Sequence, residues 1–548
     1  MKKKSPPAPP LPKESSDLSI WAAVLAAIIG LAYSNTLNAP FFHDDLANIV
    51  DNPGIRRIFP IFGSSGVYSL LYRPIAELSF SLNYAAGGLS VTGYHLANIF
   101  IHIASALTLF ALIRLTIARS PAFSGRLADK ATPVAFFAAL LWGAHPLNTM
   151  AVTYIVQRCE SMAGLFYLLT LYGAALSSFG KKPILGFLVA IPAFFLGLGT
   201  KEILITAPVI VAAWQFIFTP APFRETLRRS APLYAAFAAG ISIFAFNQIF
   251  SNPVVHKPFY EFDLNPVNYA KTQPEVLVRY LKLAFWPKGL CFDYWWPIEK
   301  GLGFIPYAAL LVAGFIATVI GLFKRHPASF AGVAFFAVLA PSSSVIALNT
   351  PAAEYRMYLP LAAIAAMVAV AAASFALKRG RKAAIGLGIA ASVIVLALAL
   401  CTFIRNADYR DSYALWADTV SKAPLNPRAH DNLGVALADQ GDLLGAVTRF
   451  NRAIAIDRLY TTAYCNMGRV LVMQNRPSEA IKYYRIGIKL WPTHWRTWSY
   501  MGVAQCMAGF WDEGVKSLET ALSLNPGNPD TIFKLDKARK GPEGDQEP

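Results

Sequence analysis

Residues 40–46 read Pro-Phe-Phe-His-Asp-Asp-Leu, two adjacent carboxylates with a histidine against them and bulky apolar residues on either side. Neighbouring acids repel each other and resist desolvation, so a pair set in apolar surroundings points to chemistry that needs them. One such chemistry is general-base catalysis. Asp44 or Asp45 takes the proton from a weakly nucleophilic hydroxyl, and the other acid orients it or raises its pKa by like-charge coupling. The other is a hard divalent cation on His43, Asp44 and Asp45, with Asp51, Glu77 and Glu160 available to complete its shell. No Asp-x-Asp motif occurs in this stretch to favour the metal. Further ionisable residues stand in short segments between apolar runs: Arg73 in YRPI, His145 and Arg158 in HPLNTMAVTYIVQRCE, Lys201 and Glu202 in GTKE, and Glu354 and Arg356 in NTPAAEYRMY. Any one of them can be a snorkelling side chain or a structural ion pair. Together they bring costly charges to one face, which marks that face as a candidate site.

The elements that must carry these residues are membrane helices. The chain has 548 residues, 55% hydrophobic and only 15% charged, with a mean hydropathy of +0.42. Soluble domains carry about 25% charge. Runs long enough to cross a bilayer fall near 18–35, 94–117, 133–149, 161–179, 183–199, 203–219, 231–250, 303–323, 328–348, 357–377 and 383–403, which predicts about eleven spans. The stretch 275–287 is apolar but short and carries Arg279 and Lys282, so it reads as interfacial or re-entrant. Lys and Arg gather in the basic, Pro-rich residues 1–17, a disordered tail, and in alternate connections: Arg119, Arg126 and Lys130; Lys181 and Lys182; Arg224, Arg228 and Arg229; Lys324 and Arg325; Lys378, Arg379, Arg381 and Lys382. The positive-inside rule puts these in the cytoplasm and puts the acid pair, within a first outer loop at 36–93, on the other side. The net charge of +17 is then a topology signal, and nucleic acid is not a partner. Leu18–Tyr33 lacks a small-residue cleavage site and reads as a retained first span. The five cysteines are scattered without a Cys-x-x-Cys, so neither a zinc site nor a disulfide framework follows.

Beyond the last apolar run a period of 34 residues appears. Gly434, Gly468 and Gly502 keep it, as do Ala446, Ala480 and Gly514, and Phe450, Tyr484 and Leu518. Pro424, Pro492 and Pro526 share the register. This is the tetratricopeptide (TPR) pattern of paired helices. It divides 405–540 into a half-repeat at 405–424 and repeats at 427–458, 461–492 and 495–526, with a tail at 541–548. The fold class is therefore all-α: a polytopic membrane helix bundle followed by an α-solenoid. On the first helices of the repeats, Asn432 and Asn466 occupy equivalent positions and can both donate to and accept from an extended backbone, and Tyr500 lies on the third. Tyr464 and Trp498 read as core.

The ordered set FFHDDLANIVDNP, YRPI, GYHLANIFIHI, LLWGAHPLNTMAVTYIVQR, GTKEILITAP and AEYRMYLP, with the repeats attached, resembles the transmembrane and tetratricopeptide-repeat-containing O-mannosyltransferases and their bacterial relatives, which are GT-C glycosyltransferases. The resemblance covers nearly the whole chain. Cys159, after the Arg of YIVQRCE, departs from an ideal member and unsettles the transfer of the positions that follow. The resemblance implies transfer of a sugar from a polyprenyl-phosphate donor, with inversion, to Ser or Thr of an exported protein presented by the repeats. Such a reaction takes Asp44 or Asp45 as base. Its developing phosphate charge calls for Lys201, Arg158, Arg356, His145 and Arg73, with Glu202, Glu354 and His43 as orienting groups. Asn432, Asn466 and Tyr500 are then peptide contacts. No cofactor is required, a divalent cation being the open alternative. The chain is then a multi-pass protein of the lipid bilayer; its compact size and few repeats suggest a bacterial inner membrane, with the endoplasmic reticulum as the open alternative, and the topology puts the site and repeats on the outer, periplasmic side. A GT-C enzyme acting on a surface glycan or lipid, and a non-catalytic scaffold recruiting partners through its repeats, are the competing readings.

Overall fold

The computed structural model describes residues 17–58, 73–123, 125–180, 182–250 (backbone only for 248–250) and 265–541. Expectations for the N-terminal tail to Ser16, the middle of the first outer loop (59–72), the start of the 251–302 segment (251–264), Lys181 and the C-terminal tail from Pro542 lie outside the described residues. Among the described residues all regular structure is helical. The chain forms two compact units: residues up to Phe292 with Trp296–Arg410, and Asp293–Trp295 with Asp411 onward.

In the first unit, each of the eleven apolar runs falls on a helix. Six helices are long and apolar enough to cross a membrane: Leu18–Thr36, Val91–Arg119, Ile155–Phe179, Ile305–Phe323, Glu354–Arg379 and Arg381–Tyr409. Two more qualify as bent pairs, Gly125–Gly143 with Pro146–Thr153 and Phe223–Arg229 with Ala231–Asn247. The other three runs form shorter helices, Pro183–Leu198, Glu202–Phe218 and Ser329–Leu339. The run at 328–348 departs most from expectation. Its helix stops at Leu339 and the chain continues without helix to Ala353, because Pro341 removes a donor, three serines offer the backbone other hydrogen bonds, and Pro351 follows. The stretch around 275–287 is the end of an amphipathic helix, Pro266–Phe285, which buries Tyr269, Val276, Tyr280 and Leu283 on one face.

Buried polar ties join these helices. His102 bridges the Gly143 carbonyl (2.9 Å) and the Tyr358 hydroxyl (2.8 Å), and Trp142 Nε1 donates to the Tyr358 carbonyl at 2.7 Å. Asn406, ending the last span, donates to the Ala32 carbonyl at 3.0 Å and accepts from the Thr153 hydroxyl at 2.9 Å. Within lipid, such hydrogen bonds and close backbone approach take over the role that the hydrophobic effect plays in water. The approach is closest between Arg158–Phe179 and Pro183–Leu198, where a Cβ on Gly173 would lie 2.6 Å from the Gly186 carbonyl oxygen.

The second unit is a solenoid of helix pairs: Pro427–Asp439 with Leu443–Ile456, Thr461–Met473 with Pro477–Leu490, and Trp495–Met507 with Trp511–Leu524. Ser412–Lys422 precedes them and Pro529–Arg539 closes the array. The 34-residue columns have a direct physical basis. Each first-helix glycine faces the large residue of its own second helix, Gly434 on Phe450, Gly468 on Tyr484 and Gly502 on Leu518. A Cβ on Gly468 would meet Tyr484 Cε1 at 2.5 Å, and Tyr484 is 1% exposed and cannot retreat. Gly468→Ala is therefore expected to destabilise the repeat unit by about 1–3 kcal/mol, read as a lowered midpoint in denaturant titration of the full chain. An unchanged midpoint would contradict the packing account.

Candidate active site

The acid pair is split by the local backbone. His43 takes a left-handed φ of +53°, uncommon for a non-glycine residue and frequent at functional turns. After it, Asp45 is buried at 0% exposure, while 56% of the Asp44 side chain is open. Asp45 Oδ1 accepts from the Val156 amide at 2.7 Å and Oδ2 from the Phe42 amide at 3.3 Å. The first bond reaches the turn that opens the Ile155–Phe179 span and the second closes the loop on itself. The Asp44 amide donates to the Tyr154 hydroxyl at 2.9 Å, and Tyr154 stacks on Phe42 with ring centroids 5.2 Å apart. His43 Nε2 lies 3.7 Å from the Asp44 carboxylate. Burial pushes the Asp45 carboxyl well above the usual carboxylate range. The amides of Val156 and Phe42 oppose the shift, and the charge of Asp44 adds to it.

A second cluster gathers three other segments. Arg73 pairs with Glu202 at 3.2 Å, Lys201 forms an ion pair with Glu160, and the Lys201 ammonium sits 5.0 Å over the Tyr355 ring. The Ile75 amide donates to the Gly199 carbonyl at 3.0 Å, fastening YRPI to GTKE. Burial pulls the Lys201 ammonium down, but the carboxylates of Glu160 and Glu202 outweigh it and hold Lys201 above its ordinary value. Arg73 is held up likewise by Glu202 against burial. Arg73, at 29% side-chain exposure, and Lys201, at 13%, keep a face toward solvent.

The other three predicted phosphate ligands have different partners. Arg158 is 1% exposed and donates to Asn98 Oδ1 (2.6 Å), Asn83 Oδ1 (2.6 Å) and the carbonyls of Tyr94 (2.9 Å) and Ser79 (3.1 Å), with Phe80 under its guanidinium. Arg356 donates to the carbonyls of Thr350 (2.6 Å) and Pro351 (2.9 Å) and so folds the non-helical segment back on itself. His145 caps the turn at Pro146. Its Nδ1 accepts from the Leu147 amide at 3.2 Å, which leaves Nε2 to donate to the Ala284 carbonyl at 3.2 Å. In all three, protein acceptors take up these donors. Of the predicted orienting acids, Glu202 meets Arg73, whereas Glu354 Oε1 accepts from the Cys291 amide at 2.6 Å. Among the described residues no three His, Cys, Asp or Glu side chains cluster as metal ligands, and Asp45 turns away from His43 and Asp44 toward Val156.

In the repeat unit, Asn432 Nδ2 donates to the Arg428 carbonyl of its own helix at 2.8 Å and Asn466 Nδ2 to Asp431 at 3.0 Å. Tyr500 is half-buried between the cations of Arg469 (5.5 Å) and Lys534 (5.3 Å). Three residues of these clusters escape a reading of charge patterns. Tyr154 and Tyr355 are neutral, and Glu160 reads as a metal ligand until Lys201 is seen beside it. The usable signal is position, since each adjoins a predicted arginine segment.

The tetratricopeptide repeat family model matches residues 399–460. A protein O-mannosyl-transferase of Caenorhabditis elegans is 23% identical over 467 residues, covering 80% of this chain and 63% of its own length. Protein O-mannosyl-transferase TMTC4 of Mus musculus is 26% identical over 495 residues, covering 78% and 65%. Protein O-mannosyl-transferase TMTC2 of Homo sapiens is 36% identical over 162 residues, covering 27% and 18%. The chain thus spans less than two thirds of the length of these relatives. The resemblance to GT-C transferases of the TMTC type holds, and over the first two relatives it extends through most of this chain.

The raised Asp45 pKa fixes a sign for pH dependence. An acid whose folded pKa lies above its unfolded value favours the folded state at low pH, and that contribution is lost as pH rises through the folded pKa. Between the ordinary carboxylate range and the raised Asp45 value, stability of the wild type is expected to fall as pH rises; Asp45→Asn is expected to flatten this dependence, whereas Asp44→Asn, which removes only one of the contributions to the shift, weakens it less. Thermal midpoints across the window check this, and identical slopes in wild type and Asp45→Asn would contradict it.

Proposed function

From this kinship we propose that the chain is itself a membrane-embedded glycosyltransferase. It moves a sugar, mannose on the relatives' names, from a polyprenyl-phosphate donor to a Ser or Thr hydroxyl of an exported protein. The observation that carries the reading is the division of the acid pair: Asp44 open beside His43, Asp45 buried and fastened to Val156. Asp44 is the base. The acceptor oxygen attacks the anomeric carbon and its proton passes to Asp44. The bond from that carbon to the phosphate oxygen breaks, and the electron pair leaves with the lipid phosphate. Attack opposite the leaving group inverts the anomer in one step. Asp45 is a positioning residue that holds the loop.

Charge growing on the phosphate needs donors that are not already committed. Arg73 and Lys201 suit this role, because each keeps an exposed face while Glu202 and Glu160 hold it in place. The eleven-span topology requires the three shorter helices to complete the crossings with help from their flanking turns. It sets the acid pair and the repeats on the outer face, periplasmic in a bacterial inner membrane. The solenoid offers Asn432, Asn466 and Tyr500 to an extended acceptor segment.

The test is transfer from polyprenyl-phosphate mannose to a Ser/Thr peptide by the full chain in lipid. Asp44→Asn is expected to lower kcat by about 10²–10⁴-fold with donor KM little changed. Arg73→Gln is expected to raise donor KM. Wild-type turnover that survives Asp44→Asn would sink the assignment of the base.

A further inference from the structure

The span Tyr358–Arg379 reads YLPLAAIAAMVAVAAASFALKR, and its many alanines leave room beside it that larger side chains would fill. A cavity of about 940 Å³ runs along one side, from Leu359 past Ala362, Ala366, Val370 and Ser374 to Lys378. That is near the top of the ~300–1,000 Å³ range of ligand pockets. The helix rises ~28 Å from Leu359 to Lys378 at 1.5 Å per residue, about the ~30 Å depth of a bilayer's hydrocarbon. The facing wall is apolar and includes Trp214, Phe218, Phe330 and Val338. Charge enters at one end only, through Arg126, His326 and Lys378, all three exposed, and no Asp or Glu is among the described residues lining the cavity. Arg126 follows the Val91–Arg119 span, His326 follows Ile305–Phe323, and Lys378 ends its own helix. All three therefore sit at the end where Lys and Arg mark the cytoplasmic side. On the other face of the same alanine-rich helix lies a smaller cavity of about 560 Å³, whose lining includes Lys130, Arg381 and His145.

We propose that the larger cavity is a site for an anionic phospholipid of the basic-side leaflet, its phosphate among Arg126, His326 and Lys378 and an acyl chain along the alanine face. Any lipid chain could fill an apolar slot, so the cations are what select. Like-signed charge beside a span, unrelieved by acids, recruits anionic headgroups. The bound chain also gives the short helix Ser329–Leu339 an apolar neighbour, since Phe330, Ala331, Ala334 and Val338 form part of the wall. This site is separate from the donor site proposed above, whose phosphate belongs at the opposite membrane face beside Asp44, and it does not depend on the transferase reading.

The experiment is native mass spectrometry of the full chain, delipidated and then given equal phosphatidylglycerol and phosphatidylcholine. Wild type is expected to retain phosphatidylglycerol with roughly tenfold or greater preference, since two full positive charges act at the membrane surface. Combined Arg126→Gln, His326→Gln and Lys378→Gln changes touch exposed side chains, so the fold should survive, and they are expected to diminish the preference severalfold. Lys130→Gln with Arg381→Gln, at the smaller second cavity, should diminish it less. Equal retention of the two lipids by wild type, or an undiminished preference in the triple variant, would overturn the proposal. So would polyprenyl phosphate displacing phosphatidylglycerol from wild type, which would make the cavity the seat of the donor's tail.

Discussion

The loop cluster of the first unit hangs on one buried carboxyl group. Asp45 accepts the Val156 amide and thereby pins its own loop to the segment that opens the Ile155–Phe179 helix. That segment is a hub. Tyr154 takes the Asp44 amide, Arg158 gathers Asn98, Asn83 and the Tyr94 and Ser79 carbonyls, and Glu160 holds Lys201. Through Glu202, Arg73 joins the same assembly. A hydrogen bond contributes about 0.5–1.5 kcal/mol net. Here the larger consequence is geometric, because one bond sets where the neighbouring acid points.

The same logic explains why two adjacent acids occur at a membrane edge. A lone exposed aspartate on a loop would wander, and a lone buried one would have no access to substrate. Placing them side by side, with a left-handed residue before them, gives one anchor and one open carboxylate from three consecutive residues. The cations follow a similar division. Arg158 and Arg356 shape the backbone through its carbonyls, and the less buried Arg73 and Lys201 are steadied by partner carboxylates.

Much of this was legible in the sequence. The 34-residue columns are visible because each glycine–aromatic contact leaves a fixed pair of letters, as at Gly468 and Tyr484. The apolar runs all fall on helices because a long apolar run away from water must satisfy its backbone hydrogen bonds within itself. The early end at Leu339 shows where that reading fails, since prolines and serines broke a run whose average hydropathy stayed high. The roles within the site were less legible. In the letters Asp-Asp the two acids are equivalent, and only the φ of His43 and the distant Val156 amide tell them apart. An arginine in a polar turn also reads the same whether it will face a phosphate or a ring of carbonyls. Arg158 belongs to the second case, which becomes visible only when Asn83, Tyr94 and Asn98 are folded around it.

Amide hydrogen exchange at Val156 tests the central claim most directly. If Asp45 holds that amide, exchange there is slow in wild type and in Asp44→Ala, and becomes fast in Asp45→Ala. Slow exchange persisting in Asp45→Ala, or equally fast exchange in Asp44→Ala, would contradict the account and return the two acids to equivalence.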